Sequence, residues 1–226
     1  MGEVLKILYA RTWKSASGTG LFLFTHAILK YMIEVEKKFV FDKDSLDKLI
    51  DEAEFISQKS FTDVYFDMAD YALTKADTWL RCRDGRFELK VALQSHATRS
   101  IDQYEELETE ETIKKKLGIT TEKPLSQDLP SLGYEPFASI VTTRTKYKKN
   151  GFIIDIDAMD YGYDLVEIEL MVDAKEEIEA ATKKIMSFAS SRGLEIGKVR
   201  GKVIEYLNRK NPEHFRALES AWGVKL

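Results

Sequence analysis

Runs in which apolar and polar residues alternate dominate the chain. Residues 33–39 read Ile-Glu-Val-Glu-Lys-Lys-Phe. In an extended strand Glu34, Glu36 and Lys38 share one face, and Ile33, Val35 and Phe39 share the other. The same period recurs at 63–67, 79–83, 86–91, 140–146, 152–157 and 165–172, which predicts further half-buried strands. Asp84-Gly85 and Asn150-Gly151 each separate two such runs and predict tight hairpin turns. Helical spacing fills the gaps. Asp44 can cap a helix carrying Leu46, Leu49 and Ile50, and Thr109 one ending near Gly118. Asp173 with Glu176 resembles a capping box ahead of Ile178, Ile185 and Phe188, with Gly193 as the stop. Asn211-Pro212 is a helix start. The sum is α+β: a mostly antiparallel sheet or barrel with helices outside it.

The alternation acquires meaning from its charges. Arg81 and Arg83 flank Cys82, Glu88 and Lys90 flank Leu89, Asp155 and Asp157 flank Ile156, Glu167 and Glu169 flank Ile168, and Arg144 is in phase with Thr142 and Lys146. An antiparallel sheet with one wet face alternates in this way. However, the signs are grouped, acid with acid and base with base, whereas a wet face favours mixed signs across strands. There are also helices enough to cover the apolar face. The alternative is a barrel turned inside out, apolar beneath its helices and charged within.

Such an interior has a definite chemistry. Arginine and lysine clamp phosphate oxygens. Clustered carboxylates hold magnesium, which prefers oxygen ligands and usually keeps water and substrate phosphates as well. A polyphosphate with its metal ions would neutralise both charge sets, as metal-assisted phosphoryl transfer requires.

Composition narrows the field. The 226 residues suffice for one substantial domain. Charged residues are 32% and hydrophobic ones 44% of the chain, the balance of a globular protein. The net charge of -4 gives no basic footprint for nucleic acid. No apolar run approaches the ~18 residues that cross a membrane. The single cysteine, Cys82, excludes an intrachain disulfide and points to a reducing, cytoplasmic setting. Strand phase aims it at the apolar layer as a core residue. With only three scattered histidines beside it, a zinc site is not expected. Residues 1–31 carry Lys6, Arg11, Lys14 and Lys30 against the single acid Glu3. They read as a tail, or alternatively as a mitochondrial targeting segment. Gly18-x-Gly20 lacks the following helix and lysine of a phosphate loop. The domain is read as 32–226.

Glu34-x-Glu36-x-Lys38 resembles the ExExK signature of the CYTH superfamily, the triphosphate tunnel metalloenzymes. Tyr65-Phe-Asp67, Ala76-Asp-Thr-Trp-Leu-Arg-Cys-Arg83, Phe87-Glu-Leu-Lys90 and Tyr104-Glu-Glu-Leu107 continue the likeness. So do Ala138-Ser-Ile-Val-Thr-Thr-Arg144, Asp155-x-Asp157-x-x-Asp160-Tyr-Gly-Tyr163, Val166-Glu-Ile-Glu169 and Gly201-Lys-Val-Ile-Glu-Tyr-Leu207. It covers roughly residues 32–220. Phe66 stands where a second tyrosine is common, and Met68-Ala69 replaces Thr-Pro; neither position carries charge.

The resemblance implies an eight-stranded antiparallel tunnel with a charged interior, surrounded by helices. It implies magnesium-dependent hydrolysis of the terminal phosphate of a small-molecule triphosphate. The chain is expected to act as a monomer without nucleic-acid or membrane partners. Around Trp79 and Glu169 it points to the branch acting on thiamine triphosphate and away from class IV adenylyl cyclases. A less selective tripolyphosphatase or nucleoside triphosphatase, or a non-catalytic polyphosphate-binding module, are the alternatives. Carried over by position, Lys38, Arg81, Arg83, Lys90, Arg144 and Lys202 are expected to bind the triphosphate. Glu34, Glu36, Asp155, Asp157, Glu167 and Glu169 are expected to hold metal, with Glu106 as a further tunnel acid. Lys38, Lys90 and Glu169 are the expected catalytic residues, with water as nucleophile. Trp79 is expected to stack on the thiamine rings, and Tyr65 to support phosphate or a metal ligand.

Overall fold

The computed structural model describes residues 33–92 and 104–226, with side chains in the first strand from Val35 onward. Residues 1–31, and the side chain of Glu34, lie outside the described residues.

The elements run β1 (Ile33–Phe39), α1 (Lys43–Ile50), β2 (Glu54–Asp67), α2 (Ala72–Lys75), β3 (Thr78–Arg83), β4 (Arg86–Ala92) and β5 (Tyr104–Leu107). They continue with α3 (Glu110–Leu117), α4 (Leu125–Ser131), β6 (Glu135–Lys149), β7 (Phe152–Met159) and β8 (Tyr163–Val172). A turn of 3-10 helix (Lys175–Glu177) leads into α5 (Ile178–Ser190), and α6 (Lys202–Lys210) and α7 (Pro212–Trp222) follow. The strands form one eight-stranded sheet in the order β1-β8-β7-β6-β2-β3-β4-β5, with every neighbouring pair antiparallel.

The sheet is strongly curled. Lys90 of β4 acts electrostatically on Glu167 of β8, although four strands lie between them. In a flat sheet five strand spacings would part them by about 24 Å. Both expected hairpin turns are present. Asp84 and Gly85 have φ of 46° and 86°, and Asn150 and Gly151 have 50° and 85°. A two-residue turn that follows strand twist needs positive φ at both central positions.

Three apolar clusters hold the curl. The outer face of β1, β7 and β8 (Val35, Phe39, Ile154, Val166, Ile168) packs on α1 and α5 through Leu49, Ile185 and Phe188. The outer face of β3 and β4 (Leu80, Phe87, Leu89) packs on Ile113, Leu125 and Leu129 of α3 and α4. Cys82 joins this outer cluster, and burial pushes its thiol pKa up. The third cluster was not expected. Tyr65, Trp79, Ile140, Met159 and Leu165 share the strand phase of the charged residues, yet pack against Leu207 of α6 and Phe215, Leu218 and Trp222 of α7. The inner face is therefore charged over only part of its length and apolar where α6 and α7 cover it.

Several expected details shift. The first helix is capped by Asp42, not Asp44. Its carboxylate accepts from Ser45 N at 2.8 Å, and Ser45 Oγ accepts from Asp42 N at 3.0 Å. Glu177 rather than Glu176 reaches back, accepting from the amides of Asp173 and Ala174 at 2.9 and 3.1 Å. Thr109, with Gly118 in the left-handed conformation at the other end, and Asn211 cap as expected. No helix among the described residues is long and apolar enough to cross a membrane.

Candidate active site

Burial decides between a wet face and an enclosed one. Asp63 and Asp155 are 0% exposed, Asp157 1%, Arg81 and Glu167 8%, and Glu169 9%. An exposed sheet face would hydrate these groups, so the charged residues line an interior. The grouping of signs, by contrast, does not distinguish the two cases. Signs are grouped along each strand but largely opposed across strands: Arg81 lies opposite Glu88, Lys90 opposite Glu106, Arg144 opposite Asp157, Lys146 opposite Asp155 and Lys38 opposite Glu167.

One half of the interior is cationic. Arg83 donates through Nε and Nη2 to the two oxygens of Asp63 at 2.7 and 3.0 Å. Lys202 also contacts Asp63, and donates to Thr142 Oγ1 at 3.2 Å. Arg81 donates to Glu88 at 2.8 and 2.5 Å, with Asp63 3.7 Å away. Lys90 pairs with Glu106. Burial alone would raise the Asp63 pKa, but the hydrogen bond from Arg83 and the charges of Arg81 and Lys202 outweigh it and hold the carboxyl well below its usual range. The same crowding acts on Lys202. Burial, opposed by Asp63 and reinforced by Arg81 and Arg83, lowers its pKa to about 8. Burial raises the Glu106 carboxyl, and Lys90 more than reverses this.

The other half is anionic. Arg144 donates to Asp157 at 2.6 and 2.7 Å, to Asp155 at 2.7 Å and to Glu167 at 2.6 Å. Lys146 lies 2.8 Å from Asp155 Oδ1 and 3.7 Å from Glu169. The first contact lacks hydrogen-bond geometry, which leaves that buried oxygen without a hydrogen-bond partner. Lys38 contacts Glu36 and lies 3.6 Å from Glu167. Burial raises the Glu167 pKa, but Lys38 and Arg144 overcome it and bring it to about 2.

Two like-signed pairs stand out in this half: Glu36 opposite Glu169, and Asp155 opposite Glu167. Like charges directly opposite each other are destabilising. Glu36, Glu167 and Glu169 each place a carboxylate oxygen within 4.8 Å of the other two. That donor set, all hard oxygens, suits Mg2+. Glu34 lies in β1 opposite Met171. Asp155 and Asp157, expected to hold metal with these acids, both accept hydrogen bonds from Arg144.

Trp79 and Tyr65 lie where the charged and apolar parts meet. Trp79 is 6% exposed. It donates from Nε1 to Asp77 at 2.9 Å and meets Trp222 edge-on at 6.2 Å. Tyr65 is 4% exposed, and burial pushes its hydroxyl up to about 12. Sequence reasoning put Glu88 and Lys146 in the charged phase but gave neither a role, and it passed over Asp63. Asp63 shares the strand phase of Tyr65, so phase alone could have found it.

Comparison with known proteins agrees with this geometry. The CYTH domain model matches residues 32–199. The thiamine-triphosphatases of Macaca fascicularis and Homo sapiens are each 30% identical over 209 residues, 83% of this chain and 89% of theirs. Among solved structures, a protein of Pyrococcus horikoshii OT3 superposes with a TM-score of 0.60 at 24% identity, over 79% of this chain and 100% of its own. A Hippeastrum protein described with a dominant triphosphatase activity shares the fold at a TM-score of 0.52 and 15% identity, over 87% of this chain and 98% of its own. With a family model matched across most of its length and relatives at this identity, the chain belongs to the CYTH family.

Proposed function

We propose that this chain hydrolyses the terminal phosphate of thiamine triphosphate, with Mg2+ as its metal. The observation that carries the reading is the division of one buried interior into a cationic half and a half where like-signed carboxylates face each other across strands, Glu36 opposite Glu169 and Asp155 opposite Glu167. A triphosphate is the anion for the first and a hard cation completes the second. The thiamine-triphosphatase relatives support the choice of substrate.

Arg81, Arg83, Lys90 and Lys202 bind the phosphate chain, with Arg144 and Lys38 completing the clamp. Glu36, Glu167 and Glu169 hold the metal, with Glu34 two residues before Glu36 on β1. When bound, Mg2+ would neutralise charge on the phosphate oxygens. Asp155 and Asp157 orient Arg144, and Glu106 orients Lys90. A water oxygen bonds to the terminal phosphorus as the bond from phosphorus to the bridging oxygen breaks, and the diphosphate departs. The ammonium groups of Lys38 and Lys90 stabilise the charge that develops, and the Glu169 carboxylate accepts the proton that the attacking water releases. No side chain is modified.

A second reading has its own support. Trp79 is packed edge-on by Trp222 and almost wholly buried, which favours a linear tripolyphosphate that needs no stacking platform. Phosphate release from purified protein with Mg2+, compared among thiamine triphosphate, ATP and tripolyphosphate, separates the readings. A preference for thiamine triphosphate is expected. Equal rates on all three would remove the thiamine assignment, and no release from any would remove the enzyme.

A further inference from the structure

Phe61 breaks the chemistry of its row. On β2 it is in phase with Asp63, and its half-buried ring sits among the interior cations. The Arg83 guanidinium carbon lies 4.2 Å from the ring centroid, the Lys202 ammonium 4.8 Å and the Arg144 guanidinium carbon 5.9 Å. These cations come from three elements, β3, α6 and β6, and they span both halves of the interior. Three like charges gathered in a desolvated space repel one another, so something must hold them there.

Carboxylates do part of this, since Asp63 pairs with Arg83 and Lys202, and Asp157 with Arg144. A carboxylate holds a cation by occupying its N–H donors and cancelling its charge. An aromatic face holds a cation differently. The ring quadrupole attracts the charge without neutralising it, and the N–H groups at the edge of a guanidinium lying over a ring stay available. Leucine or valine at this position would fill the space without the attraction.

We propose that Phe61 is a positioning residue: its ring gathers Arg83, Lys202 and Arg144 and keeps them charged and able to donate to a polyphosphate. This rests on the triphosphate reading of the interior. Phe61 touches no reacting atom and acts through the three cations.

The test grades ring electrostatics at constant size. Phe61 is replaced by mono-, di- and trifluorinated phenylalanine, and tripolyphosphate binding is measured by calorimetry in chelator and again with Ca2+. Phe61→Trp and Phe61→Leu complete the series. Affinity should fall stepwise with fluorination, by about tenfold at trifluorophenylalanine and at Phe61→Leu, while Phe61→Trp stays near wild type. Thermal midpoints should be level across the fluorinated proteins, which a purely packing role would also give. The graded affinity is what such a role would not give. Wild-type binding with no trend across the fluorinated series would overturn this inference alone. No binding of tripolyphosphate by the wild-type chain would overturn both it and the triphosphate reading.

Discussion

Arg144 and Asp157 face each other across β6 and β7, and the guanidinium holds both carboxylate oxygens, Nε to Oδ1 at 2.6 Å and Nη2 to Oδ2 at 2.7 Å. Asp157 is 1% exposed, and its carboxylate is committed to this fork. It acts as a brace for an arginine that also reaches Asp155 and Glu167. Removing it leaves the Arg144 Nε–H without its acceptor, while Asp155 and Glu167 still balance the charge. Asp157→Ala should cost roughly 2 kcal/mol, a fall of about 4–8 °C in Tm for a chain of this size. Asp157→Asn, which keeps the shape and one acceptor, should cost less. Equal Tm for wild type and Asp157→Ala would show that the fork contributes nothing.

The carboxylate triad should behave in the opposite way. Glu36 lies opposite Glu169, so neutralising either relieves repulsion between them. Glu36→Gln and Glu169→Gln should leave Tm level or raised while phosphate release falls by about 100-fold or more. Phosphate assays over a range of Mg2+, with parallel melts, check both halves of the statement. Activity retained in both variants would remove the triad from the metal site.

Trp79 divides the two substrate readings. Loss of a cation–ring contact is worth about tenfold in affinity. Trp79→Phe keeps an aromatic face but loses the hydrogen bond to Asp77. Trp79→Ala loses both. KM for thiamine triphosphate should rise about tenfold in Trp79→Ala and less in Trp79→Phe, while KM for tripolyphosphate holds. Parallel changes on both substrates would mean that the indole serves packing against Trp222 and not recognition.

The strands whose inner and outer faces differ most were the legible ones. β1 spans the predicted 33–39, and β3 and β4 each depart by one residue. β2 was read only over 63–67 because its first half, with Gln58, Lys59 and Ser60, is largely exposed and shows no clear alternation. α6 was overlooked although Val203, Ile204 and Leu207 keep helical spacing and are buried; the nine-residue segment is short and its charged flanks dominate composition. The inner apolar cluster was illegible for a different reason. Ile140 and Leu165 share strand phase with Arg144 and Glu167, and period alone does not say that one face changes character along its length. Of the clamp cations, Lys38, Arg81, Arg83, Lys90 and Arg144 were legible as charges in strand phase, whereas Lys202, on α6, came from the resemblance alone. Their carboxylate partners depend on cross-strand register, which alternation does not specify.

Lys202 predicts a proton linkage. Its folded pKa, about 8, lies below the ordinary 10.5 because burial beside Arg81 and Arg83 disfavours the ammonium. A bound polyanion favours that ammonium, so binding above about pH 8 should draw a proton from solvent. Calorimetry of tripolyphosphate binding in two buffers of different ionisation heat measures the uptake. Lys202→Met should lose it, and the difference between the two proteins separates the lysine's proton from any taken by the ligand. Identical uptake in both would show that Lys202 is already charged.

His214 sets an acid limit to stability that is separate from the active site. It is fully buried, stacked at 3.9 Å on Tyr71, with Nε2 2.7 Å from Thr74 Oγ1. Thr74 donates its hydroxyl to Asp67 at 2.6 Å. It must therefore accept from His214, which places the proton on Nε2 and leaves Nδ1, which has no hydrogen-bond partner, as a bare acceptor. Burial, reinforced by Lys75 and opposed by Asp67, takes the imidazole pKa from 6.5 to about 4. Between those values the unfolded chain binds more protons than the folded one. The contribution is thus complete above about pH 6.5 and lost as pH falls towards 4, a shift worth roughly 3 kcal/mol. The interior acid Glu167, with its pKa lowered from 4.5 to about 2, loses its contribution between about pH 4.5 and 2, mostly below that window. Tm measured from neutral pH downward should therefore fall in two stages. His214→Gln should start less stable and lack the first stage. A wild-type Tm that stays level from pH 6.5 to 4, or a variant that repeats the same fall, would exclude His214 as its source.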